Sequence, residues 1–440
     1  MSIMEFLIVI LILIVAMGLL NERILKLQSD IALVLLSLVL SALVLAVSAL
    51  AGEGAALDFI HRLGQVNFEE YLLDYVLCFM LFAGASKVNM GKFKQNLKTI
   101  SLLALLTTVV SSAAYGLLFW LAATFFQVPV DFWTCVLLGC IVSPTDPIAA
   151  TGILNKLGLS KNVTSVIESE SLFNDGTGVA LFVFVKSIVS KSGDSNFLVV
   201  MLKEVLGAFF VALVVSFIMF RLFKLSKDPV RQILISVLDV ALVYAVCEHF
   251  GFSGVIASVV CGMYFAYKVH GIRRKRAVYD PHDMYMQFWE IIESILNAIL
   301  FVMIGITVLN VSISKYLVFI LIAGIICVIL SRFVGVMMSS LFAGRDKIPS
   351  SYSLMEFVML MTWSALKGGL SLALAMSTKE FLSPEVYLIV LNAAYITIFF
   401  TVIVQGLTVK NAYQAIERHK AKRIKQAYEK QVWKMEKNNG

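Results

Sequence analysis

Charge is what this chain has least of. Asp, Glu, Lys and Arg make up 15% of its 440 residues, where soluble domains carry about 25%. Apolar residues reach 60% and the mean hydropathy is +0.89. That balance excludes a soluble globular protein. The length accommodates about a dozen helices of roughly 20 apolar residues joined by short loops, so any chemistry must lie between helices. Metal-ligand patterns are missing too. The six cysteines, Cys78, Cys135, Cys140, Cys247, Cys261 and Cys327, all fall inside apolar runs, with no C-x-x-C and no histidine at ligand spacing. They read as small apolar core residues. The five histidines, His61, His249, His270, His282 and His419, lie at span ends or in loops, which argues against a serine-type intramembrane protease. No G-x-G-D stretch supports an aspartyl one. The amino terminus has no positive n-region, carries Glu5 and is followed by Arg23 and Lys26, so it reads as a first, uncleaved span.

Apolar stretches bounded by charges or Gly/Pro/Asn turns mark thirteen spans, near 3–20, 30–50, 67–85, 100–126, 132–154, 163–186, 197–222, 232–248, 252–269, 284–309, 315–342, 354–377 and 384–409. The expected class is an all-α polytopic membrane protein. Basic loops stay cytoplasmic, and the basic residues alternate cleanly here. Loops after odd-numbered spans hold Arg23 and Lys26; Lys87, Lys92, Lys94 and Lys98; Lys156 and Lys161; Arg221, Lys224, Lys227 and Arg231; Lys268 and 273–276; Arg345 and Lys347. With the tail from Lys410, 28 of the 36 basic residues lie on one side. The opposite loops are sparse or acidic, as at Glu53, Asp58, Glu69 and Glu70. The amino terminus is therefore expected outside the inner membrane and the carboxyl terminus in the cytoplasm, which requires an odd number of spans. This asymmetry accounts for the net charge of +7 and leaves no role for nucleic acid. Residues 1–410 read as one transmembrane domain and 411–440 as a short basic tail, either lying along an anionic leaflet or solvated.

The informative residues are ionisable groups inside spans. The sixth span contains Glu168, Glu170, Asn174 and Asp175, and a carboxylate at a helix centre costs about 2.5–3.5 kcal/mol on insertion scales. Such groups mark ion paths or proton relays. At about 100° per residue, Ser171, Asn174, Asp175 and Gly178 share a face, while Glu170 points roughly 140° from Asp175. Gly176 and Gly178 let a neighbouring backbone come close. In the fifth span, Ser143-Pro144-Thr145-Asp146-Pro147 removes two amide donors and must interrupt the helix. Irregular backbone at that depth lines a cavity or is buried in protein. Its carbonyls and the Thr145 hydroxyl suit a hard cation; Asp146 either faces the ion or caps a half-helix. In the eleventh span Arg332 needs an anion, and Glu170 is the best placed. In the twelfth, Lys367 before Gly368 and Gly369 suggests a second broken helix, its charge balancing the carbonyl ends of the half-helices. Breaks in the fifth and twelfth spans suit two inverted repeats, about 3–186 and 232–409, linked by a helix at 197–222.

The stretches SPTDPIAATGIL, ESESLFNDGTGVALF, FWEIIESILNAILFVMIG, ILSRFVGV and WSALKGGLSLALA resemble, in that order, the signature regions of cation:proton antiporters of the NhaP type, relatives of animal sodium/proton exchangers. The resemblance covers residues 3–410. It implies a homodimer with a six-helix core that moves as an elevator against a dimerisation domain. The ion-contacting residues would be Asn174, Asp175, Ser171, Thr145 and Asp146, with Asp175, Ser171 and Thr145 holding the monovalent cation. Glu170 and Arg332 would be the buried pair. Members with Asn-Asp at this position are generally electroneutral. Two departures stand out: Ala83 falls where many members carry a glutamate, and Lys367 where an arginine is common.

The expected activity is exchange of sodium, with lithium a further cargo, for protons by competition at Asp175, serving sodium and pH homeostasis. No cofactor is expected, since both ions are cargo. A potassium/proton exchanger would need the same parts, and a passive cation channel is the other rival.

Overall fold

The computed structural model describes residues 3–51, 76–86, 90–159, 161–190, 197–273, 281–308, 314–344 and 352–439. The start of the expected third span, the acidic loop before it, Lys87, the basic run at 274–276, Arg345 and Lys347 lie outside them. Among the described residues the structure is helical, and its single β contact is an isolated bridge between Asp146 and Leu366. Eight helical stretches among the described residues are long and apolar enough to cross a membrane, and four shorter apolar helices accompany them. The chain is a multi-pass membrane protein.

In chain order the helices are α1 (Ile3–Leu20), α2 (Ser29–Ala51), α3 (Leu77–Ser86), α4 (Met90–Phe125), α5 (Phe132–Val142), α6 (Pro147–Lys156), α7 (Lys161–Val189) and α8 (Phe197–Leu225). They continue as α9 (Pro229–His249), α10 (Gly254–Arg273), α11 (Pro281–Thr307), α12 (Leu317–Ala343), α13 (Leu354–Trp363), α14 (Gly369–Met376), α15 (Pro384–Phe399) and α16 (Gly406–Asn439). The stretch expected as one span at 132–154 is two helices, α5 and α6, because Pro144 and Pro147 leave the backbone unwound between them. The stretch at 354–377 is likewise two, α13 and α14. Several other helices extend beyond their apolar windows. Helix α4 begins at Met90, ten residues before its apolar window, because backbone hydrogen bonding continues after hydropathy falls.

Two groups of helices pack side by side. Helices α4, α5, α7, α12 and α15 close around a large apolar core that includes Tyr115, Phe119, Ile141, Cys327 and Ile398. Helices α3, α8, α9, α10 and α11 enclose a second core dominated by aromatic rings; Phe82 and Trp289 lie 4.4 Å apart and Phe223 and Phe265 5.6 Å apart. Outward faces carry Leu7, Ile8 and Leu11 on α1 and Leu206, Phe210 and Leu213 on α8. Such patches suit lipid, not water. All six cysteines are free and buried.

The carboxyl-terminal segment neither lies free nor runs separately from the last span. Helix α15 passes through a π-helical turn, Phe400–Gln405, directly into α16. The sequence of α16 looks uniformly basic, yet it docks on the start of α13. Glu356, in a capping box with Ser353, accepts from Arg423 Nε at 3.1 Å and Nη2 at 3.0 Å and lies 2.9 Å from His419 Nδ1. Lys420 bridges to Glu417 at 3.0 Å and sits 4.1 Å from the centre of the Tyr352 ring.

One close helix contact in the first group is against backbone. A Cβ added at Gly139 of α5 would fall 2.2 Å from the Ser112 carbonyl oxygen of α4. Gly139→Ala is therefore expected to cost about 1–3 kcal/mol through overpacking and to lower the melting temperature of the detergent-purified protein. Gly18→Ala, which meets nothing within 4 Å, should melt with the wild type; equal melting of both variants would refute the close packing.

Candidate ion-binding site

The site is built where the two interrupted helices cross. The unwound residues 143–146 between α5 and α6 meet 364–368 between α13 and α14, and the Asp146 amide donates to the Leu366 carbonyl at 2.8 Å. This bond satisfies two main-chain groups that neither helix can satisfy, which is the condition for non-helical backbone at membrane depth. Glycine permits the crossing: a Cβ at Gly368 would stand 3.3 Å from Asp146 Oδ2, and one at Gly369 would stand 2.6 Å from Leu300.

Helix α7 runs beside the crossing and presents one face to it. Asn174, fully buried, receives the Thr145 amide on Oδ1 at 3.1 Å and donates from Nδ2 to Thr145 Oγ1 at 2.6 Å. Ser171 Oγ lies 3.2 Å from Thr145 Oγ1 and also meets the Thr145 carbonyl oxygen. Gly178 takes the ring of Pro144, since a Cβ there would be 2.5 Å from Pro144 Cγ. The small residue thus admits the unwound segment. Asp175 is half-buried on the same helix, and the charged groups acting on it are the carboxylates of Asp146 and Glu170 and the ammonium of Lys367. A Cβ added at its neighbour Gly176 would stand 3.5 Å from Val259 of α10, so this turn of α7 lies where the two helix groups meet.

Glu170 and Arg332 form a two-pronged ion pair, with Nη1 to Oε1 at 2.9 Å and Nη2 to Oε2 at 2.7 Å. Only 3% of Glu170 and 4% of Arg332 is exposed, so each charge depends on the other. Glu170 is not isolated from the rest of the site, because Asn174 Nδ2 also donates to Oε1 at 3.2 Å. Asn174 therefore joins the unwound backbone to the ion pair. Lys367, 2% exposed, donates from Nζ to the Ser143 carbonyl at 3.0 Å. A cation is thereby placed on the negative end of α5.

Hydrogen bonds join Thr145, Ser171, Asn174, Glu170 and Arg332, Lys367 rests on the adjoining Ser143 carbonyl, Asp146 pairs with Leu366, and Asp175 lies close enough for the charges of Asp146, Glu170 and Lys367 to act on it. Ala83 stands apart: it is fully buried in the aromatic core of the other helix group and offers no polar atom. The side chain of Glu168 lies outside the described residues. Two participants escaped the sequence. One is the Ser143 carbonyl; the other is Thr401, whose hydroxyl accepts the Lys367 amide at 3.2 Å. Thr401 lies in the π-helical turn after α15, a distortion common at functional sites but without a sequence signature of its own.

A helical membrane protein whose two broken helices cross beside a half-buried aspartate belongs to the class of secondary transporters built on discontinuous helices. Comparison with known proteins gives the family. The model of the sodium/hydrogen exchanger transmembrane family matches residues 59–414, and the chain belongs to that family. It is 30% identical over 393 residues to the Na(+)/H(+) antiporter NhaP of Pseudomonas aeruginosa, covering 88% of this chain and 91% of that protein. Identity to the Na(+)/H(+) antiporter NhaH of Halobacillus aidingensis is 27% over 349 residues, 78% and 82% of the two chains. The fold matches the solved sodium proton antiporter MjNhaP1 of Methanocaldococcus jannaschii with a TM-score of 0.73 at 19% identity, covering 94% of this chain and 99% of that one. The chain is thus of the NhaP type of cation:proton antiporter, a transporter and not an enzyme.

Removing one partner of a buried ion pair leaves the other charge uncompensated, at about 3–5 kcal/mol. Arg332→Met should therefore melt well below the wild type, and adding Glu170→Leu should restore much of the loss. A double variant as unstable as the single one would refute the pairing as the source of the effect.

Proposed function

We propose that this protein exchanges sodium for protons, one for one, by competition at Asp175, in the inner membrane with its amino terminus outside and its carboxyl terminus in the cytoplasm. The sodium/proton exchange for which the similar antiporters are named supports the exchange, and the basic loops after odd-numbered spans support the orientation. One observation carries the competition. Among the groups described at the cluster, three acids, Asp146, Glu170 and Asp175, act together with two bases, Arg332 and Lys367, so with these ionised negative charge exceeds positive by one. Either a proton or a monovalent cation supplies that charge, and occupancy by one excludes the other.

The donor set suits sodium or lithium: the Asp175 carboxylate, the Ser171 and Thr145 hydroxyls and the Thr145 carbonyl are hard oxygen ligands, with Asp146 beside them. The empty site carries an uncompensated charge, which makes movement without cargo costly and prevents leak. Exchange of one charge for one leaves the membrane potential, about 2.3 kcal/mol per charge per 100 mV, without effect. The pH gradient then drives sodium out, in the service of sodium and pH homeostasis. Asp175 lies at the boundary between the helix group of α7 and that of α10, which supports an elevator movement of one group past the other, within a homodimer as in the family it resembles.

The test is dissipation of an imposed pH gradient in everted vesicles from antiporter-deficient cells on addition of sodium, lithium or potassium. Asp175→Asn is expected to fall to the rate of vesicles lacking the protein, and the wild-type rate should not change when a voltage is imposed with valinomycin. Full exchange by the variant would defeat the assignment, a voltage-dependent rate would defeat the one-for-one ratio, and a response to potassium alone would make the protein a potassium/proton exchanger.

A further inference from the structure

Between α13 and α14 stands a lysine whose backbone is held by a residue that neither charge nor proline marks in the sequence. Thr401, in the π-helical turn Phe400–Gln405 after α15, is 1% exposed. Its hydroxyl donates to the Ile398 carbonyl at 3.1 Å. That commits its one proton and leaves its lone pairs to accept, and what they accept is the Lys367 amide at 3.2 Å. The carbonyl of the same peptide unit, that of Leu366, accepts the Asp146 amide at 2.8 Å. The peptide joining Leu366 to Lys367 is therefore held at both ends, by the turn after α15 on one side and by the unwound segment after α5 on the other. A planar peptide bonded at its oxygen and at its nitrogen cannot turn, so the Cα from which the Lys367 side chain leaves is fixed in place.

Where that side chain points matters, because its ammonium has two places to go. It now donates to the Ser143 carbonyl at 3.0 Å, away from water. The charged groups acting on it are Arg332, Glu170 and Asp175. Glu170 is engaged through both oxygens by Arg332, so the carboxylate left to attract the ammonium is that of Asp175. An ammonium and a carboxylate pair strongly where little water screens them. Such a pair at Asp175 would supply the positive charge that cargo must supply, and sodium would have to displace it. We propose that Thr401 is a positioning residue for exchange: with Asp146 it clamps the peptide before Lys367, which keeps the ammonium on the Ser143 carbonyl and leaves Asp175 to the cation. This role rests on the reading of Asp175 as the exchange site.

Wild type, Thr401→Val and Thr401→Ser are reconstituted into liposomes, and proton movement under a fixed pH gradient is followed as sodium is raised. Valine keeps the shape of threonine and lacks the hydroxyl, so the released ammonium competes with sodium. The KM for sodium is expected to rise several-fold, the scale of one lost hydrogen bond, with kcat nearly unchanged because saturating sodium displaces a competitor. Serine keeps the hydroxyl and should keep the wild-type KM. A merely structural role would lower the amount of active protein, hence the maximal rate, and leave KM where it was. Thr401→Ala removes the hydroxyl without the bulk and is read the same way should the valine variant not fold. A KM that does not rise when the hydroxyl is removed, or that rises as much in Thr401→Ser, would overturn the assignment. Either result leaves Asp175 standing as the exchange site, since that reading fails only on full exchange by Asp175→Asn, whatever KM the Thr401 variants show.

Discussion

A charge held inside a bilayer must be compensated within a few ångströms, because little water is there to do it. In this protein that constraint decides which helices are whole and which are broken. A continuous α5–α6 helix would keep the Thr145 carbonyl and amide within its own ladder. Unwinding at Pro144 and Pro147 frees them, and the freed groups meet Asn174, Ser171 and Leu366. The same unwinding creates a helix end at Ser143 on which the Lys367 ammonium rests. The break, the polar cluster and the buried lysine are therefore one arrangement, each part costly without the others.

Close approach is the second requirement, and small residues meet it at each contact. Gly178 admits Pro144, Gly368 admits Asp146, and Gly369 admits Leu300. None of these positions has a positive φ, so space and not backbone freedom selects glycine there. Where α4 meets α5 and α12 the logic repeats, with Gly139 against Ser112 and Gly335 against Ser111. Helices in lipid gain little from burying apolar surface against one another, so packing density and small contact residues hold them together. The lipid-facing side chains on α1 and α8 follow the complementary rule.

What the sequence makes legible follows from the range of the interactions. The broken fifth and twelfth spans can be read because proline and paired glycines act on their own neighbours. A buried Arg332 can be matched to Glu170 because two unlike charges far from water have few choices. Asn174 as the link between Thr145 and Glu170 could not be read, since its contacts depend on how α7 rotates against a segment 29 residues away. The Lys367 bond to Ser143 spans 224 residues and ends on a carbonyl that any residue would supply. The docking of α16 was hidden by composition: a tail rich in lysine and arginine looks solvated, and only the buried Glu356 reveals where Arg423 goes. The Ser353-x-x-Glu356 capping box was visible in the sequence, but not the second use of its glutamate. Asp239 was visible as well, an acid in mid-span with the same claim to notice as Asp175.

Three mid-span acids with the same chemistry thus have different environments. Glu170 has both oxygens occupied by Arg332 and a third bond from Asn174, so its charge is compensated by a fixed partner. Asp239 is enclosed on every side by the aromatic core of α3 and α8–α11, with no surface through which an ion could pass in ordinary turnover. Asp175 is the one of the three that is only partly buried; it stands near a boundary between packed groups, with Asp146, Glu170 and Lys367 acting on it. Exchange needs an anion that is dry enough to require a partner and open enough to change it. Of these acids, Asp175 comes nearest to that combination, and this is the ground on which exchange is proposed for it.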